Sequence, residues 1–565
     1  MPELSRRSLL GTTAAAGAVA ALGSATPGTA AAATGAGTKP HNFPDHIELY
    51  NEVFRNWDGV IHTDPLWTCA PASPGDVVEL ANWARANGYR LRPRGYKHSW
   101  SPLVVEQNQT GDARILIVDT TKYLTSVSLA SEREVRAQAG TRMDSLLDFL
   151  HRHGKSLVNV PAPGDVTVAG VLAVNAHGTS IPARGEQRKP GQNFGTVSNL
   201  VTEMTAVVWD GARNRYVERT FDRADPACAA LLTSLGRLFI TEVKLQICAD
   251  YQLRCQCFTD IPATELFAHP AKATGRSLSN LLDESGRVGL IWYTFTDRPW
   301  VQQWTVTPEK PLFAKEVSGP YNFLFADNLP SPVPEMLGGM ISGNDWMAPG
   351  FGNAVLAATD VGLTVTGARD MWGPAKNFIN FVKPTTLKVS AGSHAVVTSR
   401  AAVQRVVHEF SEFFTKALKR YEARHQYPVN SCVEIRVTGI DDPAESIVPG
   451  AQIPALSSAR PVAGHPEWDT VVWLDALTLP GTPHEYEFYA EMDAFVRTNY
   501  ANYASVRPEW SKRWATTSRG PWTDESVLRG YLPRVFDQLP ATRALFGELD
   551  PARVFTNDLL GRVGI

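Results

Sequence analysis

Arg92-Pro93-Arg94-Gly95-Tyr96-Lys97-His98-Ser99-Trp100 is the stretch on which the reading of this chain turns. It follows a short expected strand, Arg90–Pro93, so it reads as a turn. Gly95 lets the backbone approach a ligand closely or bend sharply. Successive backbone N–H groups in such a turn form a concave anion site suited to a pyrophosphate. His98 stands at its end with an imidazole nitrogen free to act as a nucleophile. Alone, the stretch also reads as an ordinary turn with a structural histidine.

A second stretch lies further along. Pro163-Gly164-Asp165-Val166-Thr167-Val168-Ala169-Gly170 leads to Asn175-Ala176-His177-Gly178-Thr179. Small residues at this density suit a flat cofactor lying against backbone, with Asp165 and Thr167 as polar contacts. They equally suit a glycine-rich connection between strands. A third feature, Leu235–Val243, which includes Ile240, is a glycine turn entering a strand.

Helices and strands alternate around these stretches. Ser73-Pro74 opens a helix with Val77, Leu80, Ala81 and Ala84 on its apolar stripe, and Gly88 stops it. Strands are expected at Ile115–Val118, Glu134–Ala139, Met204–Trp209 and Phe239–Ile247. Thr141 with Asp144 is expected to cap a second helix, whose Met143, Leu146, Leu147 and Leu150 face inward. From about residue 250 aromatics and prolines multiply, as in Ile291–Trp304. Long helices over 400–424 and 485–502 flank a strand at Cys432–Val437.

That strand carries the fourth candidate site. In Cys432-Val433-Glu434-Ile435-Arg436-Val437 the alternation puts Glu434 and Arg436 on one face, about 7 Å apart along the chain. A carboxylate beside a guanidinium on an otherwise apolar strand suits a base with an electrostatic partner. It also suits a surface ion pair on an edge strand.

The chain has 565 residues, 44% of them hydrophobic, and a net charge of -3, which predicts no broad footprint for nucleic acid. Arg6-Arg7-Ser8-Leu9-Leu10-Gly11, a mildly apolar run and Ala30–Ala33 read as a twin-arginine leader over residues 1–33, followed by a linker over 34–45. No later segment reaches about 18 uninterrupted apolar residues, so no stable membrane insertion is expected. The mature protein is expected to be secreted. The six cysteines lack metal-binding spacing, so no metal site is expected. Cys255 and Cys257 share one strand face, a poor geometry for a mutual disulfide.

Together, in this order and spacing, the first three stretches resemble the vanillyl-alcohol-oxidase-type (p-cresol-methylhydroxylase-type) FAD-binding fold. The resemblance implies an α+β FAD-binding domain over 46–250, an α+β substrate-binding cap over 251–545, and a return to the first domain over 546–565. It implies that Pro93 to Ser99, Pro163, Gly164, Asp165, Thr167, Val168, Gly170, Asn175, His177, Gly178, Ile240 and Asn557 hold FAD. It also implies one covalent bond, from His98 to the flavin 8α position; residues 158–180 contain no cysteine for a second.

The mature chain as a whole, Val433-Glu434-Ile435-Arg436-Val437 included, resembles the covalent-flavin (type II) cholesterol oxidases. That resemblance implies Glu434 and Arg436 as catalytic residues, a 3β-hydroxysterol as the small apolar alcohol, O2 as acceptor with H2O2 released, and a Δ5 to Δ4 isomerisation. One departure stands out: Gly289 falls where the family has an active-site glutamate, and Glu284 is off register. Two alternatives stay open, a same-fold oxidase of another bulky alcohol, sugar or lactone, and a non-catalytic exported flavin- or sterol-binding protein.

Overall fold

The computed structural model describes residues 38–111, 113–321, 332–382 and 386–565; the expected leader and the first residues of the linker lie outside the described residues. Local signals set the early elements. The helix Pro74–Asn87 begins where the Ser73 hydroxyl accepts the Asp76 N–H at 3.2 Å, and ends at Gly88 with φ 69°. The helix Met143–Arg152 starts differently from expectation. Arg142 is its N-cap, the Thr141 hydroxyl donates instead to the Ser126 carbonyl at 3.4 Å, and Asp144 pairs with Arg142.

Two sheets form the first part of the molecule. Glu48–Arg55, His62–Ala70, Ile115–Asp119 and Arg90–Arg94 lie in that order, antiparallel at the first pair and parallel thereafter. Val127–Ser131, Glu134–Gln138, Phe239–Gln246, Val201–Asp210 and Arg215–Asp222 form an antiparallel sheet beside them. The C-terminal chain packs into the same core, and this return begins near Trp510 rather than at 546. Trp510, Trp514, Phe536 and Phe546 sit with Val77, Leu91 and Val207 in one cluster. The Leu91 N–H donates to the Val554 carbonyl at 2.8 Å.

The second part is built on one sheet of nine strands. Its centre runs Trp300–Val306, Val288–Tyr293, Cys432–Gly439, Thr470–Thr478, Ser390–Thr398, all antiparallel. Alternation decides what each face carries. Val433, Ile435, Val437, Val472, Leu474 and Ala476 face the helices Val403–Glu422 and Glu485–Asn499 and share their core. Glu434, Arg436 and Asp475 therefore point the other way, toward the first part. At about 25 cal/mol per Å² of apolar surface, this helix-on-sheet burial is what fixes the register that aims the charged residues. All six cysteines are free and buried, with Cys255 and Cys257 Sγ atoms 3.9 Å apart on one strand.

Candidate active site

The space between the two parts is a cavity that opens to solvent and is lined from both of them. The first wall is the turn after Arg90–Arg94. Arg92 is buried beneath it, donating to the carbonyls of Gly236 (2.9 Å), Val104 (3.3 Å), Leu103 and Phe555. It fixes the turn to the C-terminal return. Lys97 sits at φ 63°, in the left-handed region, where the chain bends into the turn.

The charges of that turn are already partnered. Arg94 donates to Glu52 and to Asp119, both at 2.8 Å, and Lys97 contacts Glu52. Both residues line the cavity with their charges shared with these carboxylates. Gly95 lies against Thr167, where a Cβ would come within 2.5 Å of the hydroxyl oxygen. Thr167 in turn caps the short helix Val168–Ala173 by accepting the Gly170 N–H at 3.2 Å.

His98 is held by its neighbours' rings. Trp57 stacks on it at 3.8 Å and Trp100 meets it edge-on at 6.3 Å. Among the described residues its Nε2 is buried without a hydrogen-bond partner, and so is Asp165 Oδ1, 3.8 Å away. Burial, helped by the positive charges of Lys512 and Lys388, lowers the His98 pKa to about 4, so the imidazole is neutral with a lone pair available near neutral pH. Burial likewise raises Asp165. Two orphaned polar atoms and a glycine with no room for a side chain fit the edge of a flat dinucleotide cofactor. The residues present fit FAD.

The far wall carries the charges. Arg436 contacts Glu434 on its own strand and donates to Asp475 Oδ2 at 3.0 Å on the next. Burial works against the guanidinium, but Glu434 and Asp475 outweigh it and hold Arg436 more firmly protonated than usual. Lys512 lies 3.5 Å from Asp475 and 3.8 Å from Glu509, with its ammonium 4.3 Å from the centre of the Trp100 ring. His177 stacks on Trp473 at 3.6 Å, with Nε2 3.7 Å from Glu509.

Glu434 and Arg436 also border a second, smaller cavity lined by Gly289, Gln302 and Trp304. Gly289 has no space for the carboxylate expected there: a Cβ would stand 2.7 Å from the Trp304 ring. Glu284 does not replace it, since its carboxylate accepts from Gln303 at 3.2 Å.

Of the expected cofactor residues, Pro93 to Ser99, Pro163, Thr167, Gly170, His177 and Ile240 line the main cavity. Others are joints. Asn175 joins Thr196 to the 457–458 segment, and its side chain is used up there. Asn557 caps the helix Asp558–Val563 and donates to the carbonyls of Pro102 and Leu103 at 2.9 and 3.0 Å. Val168 is buried in the core, Gly164 packs against Asn380, and Gly178 borders the second cavity. Trp57, Asp475, Glu509 and Lys512 were missed. Glu509 and Lys512 stand in Pro508-Glu509-Trp510-Ser511-Lys512, and charges among buried aromatics were the available signal.

The substrate side of the cavity is apolar. Val389, Leu477, Trp57 and Trp100 pack with Leu337, Phe351 and Val355 of the helices Val333–Ile341 and Ala348–Val365. Among the described residues no helix is long and apolar enough to cross a membrane, and no cluster fit for a metal ion is present.

Known proteins align with both parts. Residues 252–564 match the family model of the cholesterol oxidase substrate-binding domain, and 65–215 match an FAD-binding domain model. A solved solvent-stable cholesterol oxidase is 44% identical, covering 94% of this chain and all of its own, with a TM-score of 0.91. A cholesterol oxidase structure from Brevibacterium sterolicum is 41% identical over 93% of this chain and 99% of its own, TM-score 0.90. Alditol oxidase of Streptomyces sp. (strain IKD472 / FERM P-14339) is 27% identical over 44% of this chain and 57% of its own length. L-gulonolactone oxidase of Mus musculus is 30% identical over 43% and 49%. The chain thus spans about half the length of these two curated relatives.

Proposed function

The chain belongs to the cholesterol oxidase family of FAD-dependent oxidoreductases acting on CH–OH groups, and from that premise we propose that it oxidises the 3β-hydroxyl of a sterol to the ketone. The observation that carries this reading is the Glu434–Arg436 pair, set at the wall of a cavity whose other side is apolar.

The residues divide the work. Glu434 takes the hydroxyl proton at a carboxylate oxygen while Arg436, held between Glu434 and Asp475, steadies the negative charge that develops on the substrate oxygen. Trp57, Trp100, Val389 and Leu477 exclude water and press the sterol body into one orientation. FAD, when bound, supplies the hydride acceptor and hands the electrons to O2, releasing H2O2. Once the hydroxyl proton has left Glu434 with the H2O2, the same carboxylate moves the double bond from Δ5 to Δ4 by taking one proton and returning it two carbons away. His98, with Nε2 free and the ring fixed by Trp57, is the covalent attachment point. The leader over 1–33 sends the folded protein out by the twin-arginine route, with 46–250 and the return from near Trp510 as one domain and the chain between them as the other.

A polyol or lactone substrate is the competing reading, in keeping with the alditol and lactone oxidases among its relatives. The apolar substrate side argues against it. A peroxide assay with cholesterol, beside acid precipitation of the same sample, tests the proposal. Peroxide with a yellow pellet is expected. No peroxide from any sterol removes the substrate assignment, and a colourless pellet removes the covalent bond.

A further inference from the structure

Three neighbouring strands and one loop bring together a seam of buried polar groups. By strand register Glu434 lies opposite Asp475, and Asp475 opposite Ser393. The Ser393 hydroxyl contacts Asp475 Oδ1 on one side and Glu509 Oε2, at 2.7 Å, on the other. Ser393, Asp475 and Glu509 are 0%, 1% and 6% exposed.

A hydroxyl carries one hydrogen. With both carboxyls ionised, one of its two contacts would set lone pair against lone pair with no proton between them, in a place that water does not screen. Charge counting leads to the same point. Glu434, Asp475 and Glu509 face two cations, Arg436 and Lys512. Fully ionised, the group keeps one uncompensated negative charge; one added proton makes it neutral. His177 is the other titratable group that faces it. Its Nδ1 lies 2.9 Å from the Gly178 carbonyl and its Nε2 3.7 Å from Glu509, which makes Nε2 the competing place for that proton. Ser511 completes the surroundings, its hydroxyl 3.4 Å from Glu509.

We propose that the Asp475–Ser393–Glu509 seam holds one shared proton near neutral pH, making Asp475 and Ser393 positioning residues that leave the charge of Arg436 to Glu434. The role rests on Glu434 as the base of the reaction. The two acids are biased in opposite senses. Burial and the Glu509 charge raise Asp475, whereas for Glu509 burial is outweighed chiefly by Lys512, with the Ser393 contact adding to it, and the two hold it low. The proton therefore resides toward Asp475, and as pH rises through its loss Arg436 becomes divided between two carboxylates.

Infrared difference spectra of the purified holoenzyme test this. Wild type minus Asp475→Asn, and wild type minus Glu509→Gln, are each expected to show the carbonyl stretch of a protonated carboxylic acid, shifted in D2O, because either amide replaces the shared proton with an N–H. Absence of the band from wild type, which would put the proton on His177, overturns the proposal, as does its survival in either variant. Flavin absorbance and circular dichroism confirm that each variant is folded; Ser393→Ala, which keeps both acids, is expected to move the band. Loss of the shared proton is expected to give wild-type kcat/KM an alkaline limb that Asp475→Asn lacks, because the amide cannot ionise; the same limb in the variant overturns the proposal. The spectra need no substrate, so a wrong base assignment shows separately, as unchanged turnover in Glu434→Gln with the band intact.

Discussion

His98 lies face to face with Trp57, ring centroids 3.8 Å apart and planes 20° from parallel. Trp57 is itself 8% exposed and packs with Trp100, Val389 and Leu477, so the imidazole is oriented before any cofactor arrives. A neutral, oriented ring is what bond formation to a flavin requires. His98→Ala is expected to bind FAD that is released by acid. Trp57→Ala should keep His98 but lose a contact of about 0.5–1.5 kcal/mol, so the bonded fraction falls several-fold. Flavin fluorescence of the denatured protein on a gel reads both.

Glu434 carries the proposed proton transfer, and Gln keeps its shape without its basicity. Glu434→Gln should retain bonded flavin and lose about 10²–10⁴-fold in kcat, the usual weight of general base catalysis. Steady-state peroxide release measures it. Turnover equal to wild type would take Glu434 out of the mechanism.

Glu445 provides a pH test of the join between the two parts. It accepts the Phe194 N–H at 2.7 Å, and burial raises its pKa from 4.5 to about 7 against the pull of that bond and of Arg188. Between those values the folded protein keeps a proton that the unfolded chain has released, so stability falls as pH rises through the window and levels off above it. Glu445→Gln removes this loss. By denaturant unfolding it should be more stable than wild type at about pH 8, by about 3 kcal/mol, and match it at about pH 4.

Gly289 tests the space beside the second cavity. Gly289→Ala drives a methyl into Trp304 and is expected to cost about 1–3 kcal/mol through overpacking. Combined with Trp304→Phe the two changes should fall short of additive, because the smaller ring yields the room. Thermal unfolding of the four proteins measures the coupling.

How far the sequence reached depends on the kind of signal. The Ser73 cap, the Gly88 stop and the Glu434/Arg436 alternation are local, and each appears as read. Arg94 and Lys97 stand in the turn read as holding FAD, and Glu52 and Asp119 from other strands pair with their charges. Nothing in a linear text marks that pairing. Asn175 and Asn557 show the same limit, since an asparagine that ties two loops looks like one that awaits a ligand. Ser393, Asp475 and Glu509 meet only through the register of strands far apart in sequence. The aromatic tail from Trp510 read as cap and packs as core of the first part, because apolar content does not say which core.

The central claim is oxidation of a sterol at the Glu434–Arg436 wall, and anaerobic mixing of the holoenzyme with cholesterol tests it most directly. The yellow flavin absorbance is expected to bleach in a single turnover with one equivalent of 3-ketosteroid formed, while sorbitol and a sugar lactone leave it unchanged. Bleaching by the polyol or the lactone, with cholesterol inert, would contradict the account.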